Sequence, residues 1–157
     1  MTGVQTCALP ICFPVTIAGA GYPLPSGIVL SNASRMVKIT WKNTSTTLKG
    51  TGSFKIYGGT DSSSLTLLKT ISDNDSSFID SNKISSKTYY YRLKSVDADG
   101  VESDFTKAYA IKVSSHVYVS TSGKETAFGS ELDPFATFNQ AIGAAIVTGK
   151  QIGRAHV

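Results

Sequence analysis

Asp97-Ala98-Asp99-Gly100 begins as a calcium loop begins, with two carboxylates one residue apart ahead of a glycine. A complete loop needs further oxygen ligands and a distal glutamate. Glu102 stands too close and no twelve-residue pattern follows, so Asp and Gly here supply hairpin-turn geometry. His116 has no cysteine beside it to complete a zinc set and no Ser or Asp constellation for nucleophilic catalysis. Gly19-Ala20-Gly21 and the stretch from Gly123 to Gly129 lack the Gly-Lys-Ser/Thr of a phosphate loop. Glu125, Glu131 and Asp133 are acidic, but nothing in their spacing sets two carboxylates across a sugar. Tyr22, Tyr57, Tyr90 and Tyr118 have the flat rings that stack on saccharides, although exposed tyrosines are common on sheets that bind nothing. These residues lead to no expected catalytic group, metal or cofactor.

The elements that would carry such residues are short. The chain has 157 residues, room for one ordinary domain and part of another. Only 17% of residues are charged, and 21 Ser and 17 Thr make the surface polar without charge. The net charge of +4 is too small to argue for a nucleic-acid partner. No run of about 18 apolar residues predicts a membrane-inserted helix. The sequons at Asn32, Asn43 and Asn74 arise by chance in so Ser/Thr-rich a chain and carry no reading.

Both ends read as foreign. Residues 1–11, MTGVQTCALPI, back-translate into a short-read sequencing adapter, and IGRAHV at residues 152–157 back-translates into its reverse complement. The expectation is a gene fragment over residues 12–151 between translated adapter. Leu9-Pro10-Ile11-Cys12 then only imitates a lipoprotein cleavage box, Cys7 and His156 drop out, and no disulfide framework is expected.

Residues 12–25 mix apolar side chains with Gly and Pro without a period, as a linker or the end of an upstream domain does. From Ser26 to Val113 the pattern becomes short runs of period two. Val37, Ile39 and Trp41 alternate with polar neighbours; Phe54 and Ile56 do the same. Tyr89, Tyr91 and Leu93 alternate with Arg92 and Lys94 facing out. Turn clusters at Asn43–Thr46, Gly58–Asp61, Ser72–Asp75 and Asp97–Gly100 separate the runs. About seven such strands predict an all-β sandwich, with Leu65 to Ser81 open to more than one register.

The stretch from Pro25 to Val113 resembles a fibronectin type III domain. Trp41 closes an early strand, Tyr89 to Leu93 form a Tyr-x-x-x-aliphatic strand just after Ile84, and KSVDADGVESDFT matches the run into the last strand. The resemblance implies a seven-stranded immunoglobulin-like sandwich. It makes Tyr89 the corner tyrosine bonded back to nearby backbone, and Trp41 the filler between sheets. Trp41, Phe54, Ile56, Tyr89, Tyr91, Leu93 and Gly100 are then structural signature residues, and no catalytic group comes with them.

After Val113 the pattern changes. His116 to Ser120 reads as a strand, Thr121 to Pro134 as loop and Pro134 to Lys150 as helix. Thr137 and Gln140 form a capping box, Phe138, Ala141, Ile142 and Ala145 make an apolar face, and Gly149 is the stop. Tyr118-Val119-Ser120, Gly123, Gly129, Pro134-Phe135-Ala136-Thr137 and Ala141-Ile142 resemble the opening cap of secreted right-handed parallel β-helix proteins of pectate-lyase type. That resemblance implies a truncated second domain at residues 116–150, without the coils where such proteins carry their catalytic groups. The expected whole is a non-catalytic spacer or presentation module of a large secreted or cell-surface protein of bacterial type. Its partners would be the neighbouring domains and, beyond them, polysaccharide or cell-surface glycan. A truncated polysaccharide lyase or hydrolase and a glycan- or protein-binding adhesion module are the alternatives.

Overall fold

A computed structural model describes residues 23–43 and 52–147. The adapter-like ends, Tyr22, the turn from Thr44 onward and Gly149 lie outside the described residues.

Seven strands form two antiparallel sheets. β1 (Ser26–Ala33), β2 (Met36–Lys42) and β5 (Ser77–Asp80) lie in the order β1-β2-β5. β3 (Ser53–Gly59), β4 (Thr66–Ser72), β6 (Thr88–Val96) and β7 (Tyr109–Lys112) lie in the order β4-β3-β6-β7. The expected sandwich is present. The register left open between Leu65 and Ser81 resolves into β4, with an irregularity opposite Ile56 and Tyr57, and the four-residue β5.

Period two decides what each strand buries. Val37, Ile39 and Trp41 turn into the sandwich from β2, Phe54 and Ile56 from β3, and Tyr89, Tyr91 and Leu93 from β6. Ile28 and Val113 complete this core. Trp41 meets Phe54 edge to face at 5.5 Å between ring centres, the arrangement aromatic quadrupoles favour. Tyr89 accepts a hydrogen bond from the Ile84 backbone N–H at 3.1 Å, and Tyr91 donates to Asp80 on the opposite sheet at 2.9 Å. Gly100 sits in the turn after β6 at φ +82°, where a side chain is strained. Asp97 makes that turn by accepting from the amides of Asp99 and Val101 through one carboxylate oxygen, so its acid is spent on the backbone.

The β1–β2 hairpin turns on Ser34 and Arg35, at φ 47° and 63°. Two left-handed residues in a two-residue loop match the right-handed twist of the strands, and without glycine each costs about 1–2 kcal/mol. Their amides are used: Ser34 donates to the His116 carbonyl at 3.2 Å and Arg35 to the Ser114 carbonyl at 3.1 Å.

Beyond the sandwich, β8 spans Val119–Lys124 and α1 spans Phe138–Val147. β8 joins neither sheet. The strand thus begins later than the expected His116 and takes in Thr121 to Lys124, which the sequence assigns to loop. The cause is its partner: parallel bridges run from Val119 and Lys124 to Phe135, and Tyr118 exchanges backbone hydrogen bonds with Gly129 and Phe135. The capping box forms, with the Gln140 amide donating to Thr137 Oγ1 at 3.4 Å and the Thr137 amide to Gln140 Oε1 at 3.0 Å. Phe138 departs from the expected buried face and is 51% exposed. Gln140 reaches back to the Glu125 carbonyl and Ala141 is buried, so the inner face is centred between those two. At about 100° per residue, Phe138 is turned to the side of that face.

Ile56 is fully buried between the sheets. Ile56→Ala is expected to lower stability by about 2–5 kcal/mol, seen as a lower urea midpoint at unchanged slope.

Candidate functional site

The signature residues Trp41, Phe54, Ile56, Tyr89, Tyr91 and Leu93 all lie in the core, and Gly100 in its turn. Burial first, then the Asp80 carboxylate, pushes the Tyr91 phenol far above its ordinary range, so it stays a donor. His116 is exposed, with Ser114 Oγ 2.7 Å from its Nδ1. Asp133 accepts from the Phe128 amide at 2.9 Å, while Glu125 and Glu131 are exposed and no carboxylate pair forms. Among the described residues no three His, Cys, Asp or Glu side chains gather as a metal site.

The side chains that do gather lie on the outer face of the four-stranded sheet. Inward Phe54 and Ile56 on β3 leave Lys55 and Tyr57 outside; inward Tyr91 and Leu93 on β6 leave Arg92 and Lys94 outside. Lys55 pairs directly with Lys94, and Tyr57 with Arg92. Directly opposed like charges destabilise a sheet unless something intervenes. Glu102 intervenes, bonded to Lys55 and, at 3.0 Å, to Lys94.

The segment after the Gly100 turn places that carboxylate. Ser103 and Thr106 point inward and stand in for ladder partners: the Ser95 amide donates to Ser103 Oγ and the Leu93 amide to Thr106 Oγ1, both at 3.0 Å. Inward Ser103 and Thr106 put Glu102 and Phe105 outside. Phe105 meets Tyr57 edge to face at 4.9 Å and is 41% exposed. Lys94 Nζ lies 4.3 Å from the Phe105 ring centre and the Arg92 guanidinium carbon 6.0 Å from it. Arg92 Nε is buried with no hydrogen-bond partner among the described residues. Of this group, the sequence reading singled out Tyr57 as a stacking ring and Arg92 and Lys94 as outward. Phe105 went unnoticed, because Glu102 and Phe105, like Ser103 and Thr106, stand three residues apart and break the period of two that marks a strand.

A second concave region lies where the C-terminal segment meets the sandwich. Leu30, Asn32 and Ile111 line one side of an open cleft of about 170 Å³, and Tyr118, Ser130 and Leu132 the other. Lys38 of β2 reaches across, 3.9 Å from Asp133 and 5.6 Å from the Phe128 ring centre.

Seven strands ordered β1-β2-β5 and β4-β3-β6-β7, with a tyrosine corner before β6, decide the architecture. The fold is that of a fibronectin type III sandwich. It is similar to the sixth fibronectin type III domain of human fibronectin type III domain containing protein 3, at TM-score 0.51 and 14% identity over 61% of this chain and 89% of that one. It is also similar to part of a beta-1,2-glucanase from Parabacteroides distasonis, at TM-score 0.51 and 15% identity over 61% of this chain and 13% of that one. The chicken CNTN1 FN1-FN3 domains match at TM-score 0.51 and 11% identity, over 60% of this chain and 33% of that one. No protein-family model and no curated protein matches the sequence. The chain spans 13% of the glucanase and 33% of the CNTN1 domains.

Hydrogen bonds from Lys55 and Lys94 hold the Glu102 carboxyl below its ordinary 4.5, and the Glu102 bond holds Lys55 above its ordinary 10.5. A lowered carboxyl contributes stability above its unfolded value and loses it as pH falls through the folded one; a raised amine contributes below its unfolded value and loses it above. Stability is expected to fall below pH 4.5 and again above pH 10.5, and Glu102→Gln to flatten both losses in pH-dependent urea midpoints.

Proposed function

We propose that the chain is a non-catalytic spacer that sets the distance and direction between neighbouring parts of a secreted or cell-surface protein. The observation that carries this reading is how the chain enters and leaves. Pro23 is tied to Ser95, at the far end of β6, through a 2.7 Å bond from Ser95 Oγ to its carbonyl. The chain leaves beside Thr88, at the other end of that strand: the Ser86 amide donates to the Val113 carbonyl. Entry and exit thus lie at opposite poles, about 25 Å apart along a nine-residue strand.

The exit is held. Asn32 accepts from the Ser114 amide at 2.7 Å and donates to the Lys112 carbonyl at 3.4 Å, and the Arg35 and Ser34 amides donate to the Ser114 and His116 carbonyls. A flexible joint would leave the next segment free to swing; these bonds and the Lys38–Asp133 contact give it a direction. In this reading residues 26–113 are the spacer and residues 116–150 the cap of a parallel β-helix. The parallel bridges to Phe135 support that second assignment, as does the tight seat of Phe135: a Cβ on Gly123 would lie 2.2 Å from its carbonyl oxygen, and one on Gly129 2.3 Å from its ring. Association with polysaccharide is supported by the similar sandwich within the glucanase.

Hydrogen exchange on the whole chain tests the joint. Amides of residues 116–136 are expected to be protected, and Asn32→Ala to raise their exchange while leaving β2, β3 and β6 unchanged. Exchange of residues 116–136 at unfolded-chain rates in the unaltered protein would rule out a direction-setting joint.

A further inference from the structure

We infer that the outer face of the four-stranded sheet binds an acidic polysaccharide, a chain with one carboxylate per sugar ring, across Tyr57, Arg92, Lys94 and Phe105. This site is separate from the joint and stands or falls without it.

The face unites the two features such a polymer requires. Tyr57 and Phe105 make an aromatic wall against which the C–H face of a sugar ring can pack, and Phe105 is 41% exposed. Leu67, paired with Tyr57 from β4 and 50% exposed, extends the wall. Beside the wall stand cations. Lys94 lies 4.3 Å from the Phe105 ring centre, and Arg92 has a buried Nε donor without an acceptor. A donor left unpaired in a low-dielectric place is costly. A carboxylate entering beside Phe105 meets the outer nitrogens of the Arg92 guanidinium, whose planar fork can take it with two parallel bonds.

Charge complementarity selects the occupant. The three cations Lys55, Arg92 and Lys94 outnumber the single carboxylate of Glu102, so the face attracts an anion. Glu102 already holds both lysines, which leaves Arg92 as the uncommitted charge. A nucleic acid draws its affinity from neutralising many phosphates at once, and so small a net charge gives it little. An acidic peptide would have charge but no ring face to lay on Tyr57 and Phe105. A polymer of uronic acids offers both, with widely spaced charges to match a sparse set of cations.

Affinity electrophoresis of the whole chain tests the assignment. The probes are alginate as the polyuronate, dextran as a neutral glucan, poly-glutamate and single-stranded DNA. Retardation by alginate is expected, weakening several-fold as salt is raised, with none by dextran and weaker effects from poly-glutamate and DNA at equal charge. Phe105→Ala and Arg92→Gln are each expected to weaken the alginate effect at least fivefold, while Lys42→Gln, on the other sheet, leaves it unchanged. Circular dichroism confirms folding; if Arg92→Gln does not fold, Phe105→Ala at the exposed ring decides alone. Absence of alginate retardation at low salt, equal retardation by poly-glutamate or DNA, or insensitivity to Phe105→Ala would overturn the site.

Discussion

Two tyrosine hydroxyls on one strand hold the sandwich to a single arrangement. β6 presents Tyr89 and Tyr91 to the core, and each ring brings a polar tip that must find a partner once buried. Tyr91 finds Asp80 on the opposite sheet; Asp80 also binds Lys83 at 2.7 Å, and Lys83 lies over the Tyr89 ring. Tyr89 takes the Ile84 amide, fixing how the chain enters β6. Apolar packing alone would tolerate sliding of one sheet over the other. These directional bonds do not, so they set the register that also places Arg92 and Lys94 on the outside.

The strands with a strict period were legible. Val37, Ile39 and Trp41, or Tyr89, Tyr91 and Leu93, leave one workable orientation, because a slip by one residue would bury lysine or arginine. The β1–β2 turn was not. Ser34-Arg35 carries no Asn-Gly signal, and its left-handed backbone is held by contacts with Ser114 and His116, some eighty residues later. The start of β8 was misplaced for a similar reason: its partner is the lone bridge residue Phe135 and not a neighbouring strand of regular pattern. Phe138 followed the helical period, but the Gln140 bond to Glu125 turned the helix away from it.

The outer face was half legible. Outward Arg92 and Lys94 follow from inward Tyr91 and Leu93. What covers them does not, since Glu102 and Phe105 arrive by an irregular segment whose hydroxyls replace backbone ladder partners. Ser103 and Thr106 read as ordinary polar loop residues until their role in satisfying β6 is seen. The face is thus assembled by two short side chains that never touch it.

The hold of the Ser34-Arg35 turn on the Ser114 and His116 carbonyls bears on how a pull would pass through the molecule. A pull on both ends enters at Pro23 and leaves past His116, so the load runs along the length of the sandwich. The bonds from Asn32, Ser34 and Arg35 stand first in line at the exit, and there are few of them. The β3–β6 ladder, bonded over seven residue pairs, lies deeper in the path. If the chain is a spacer under load, those few bonds are expected to part before the seven-pair β3–β6 ladder, paying out a short length of chain as a fuse does.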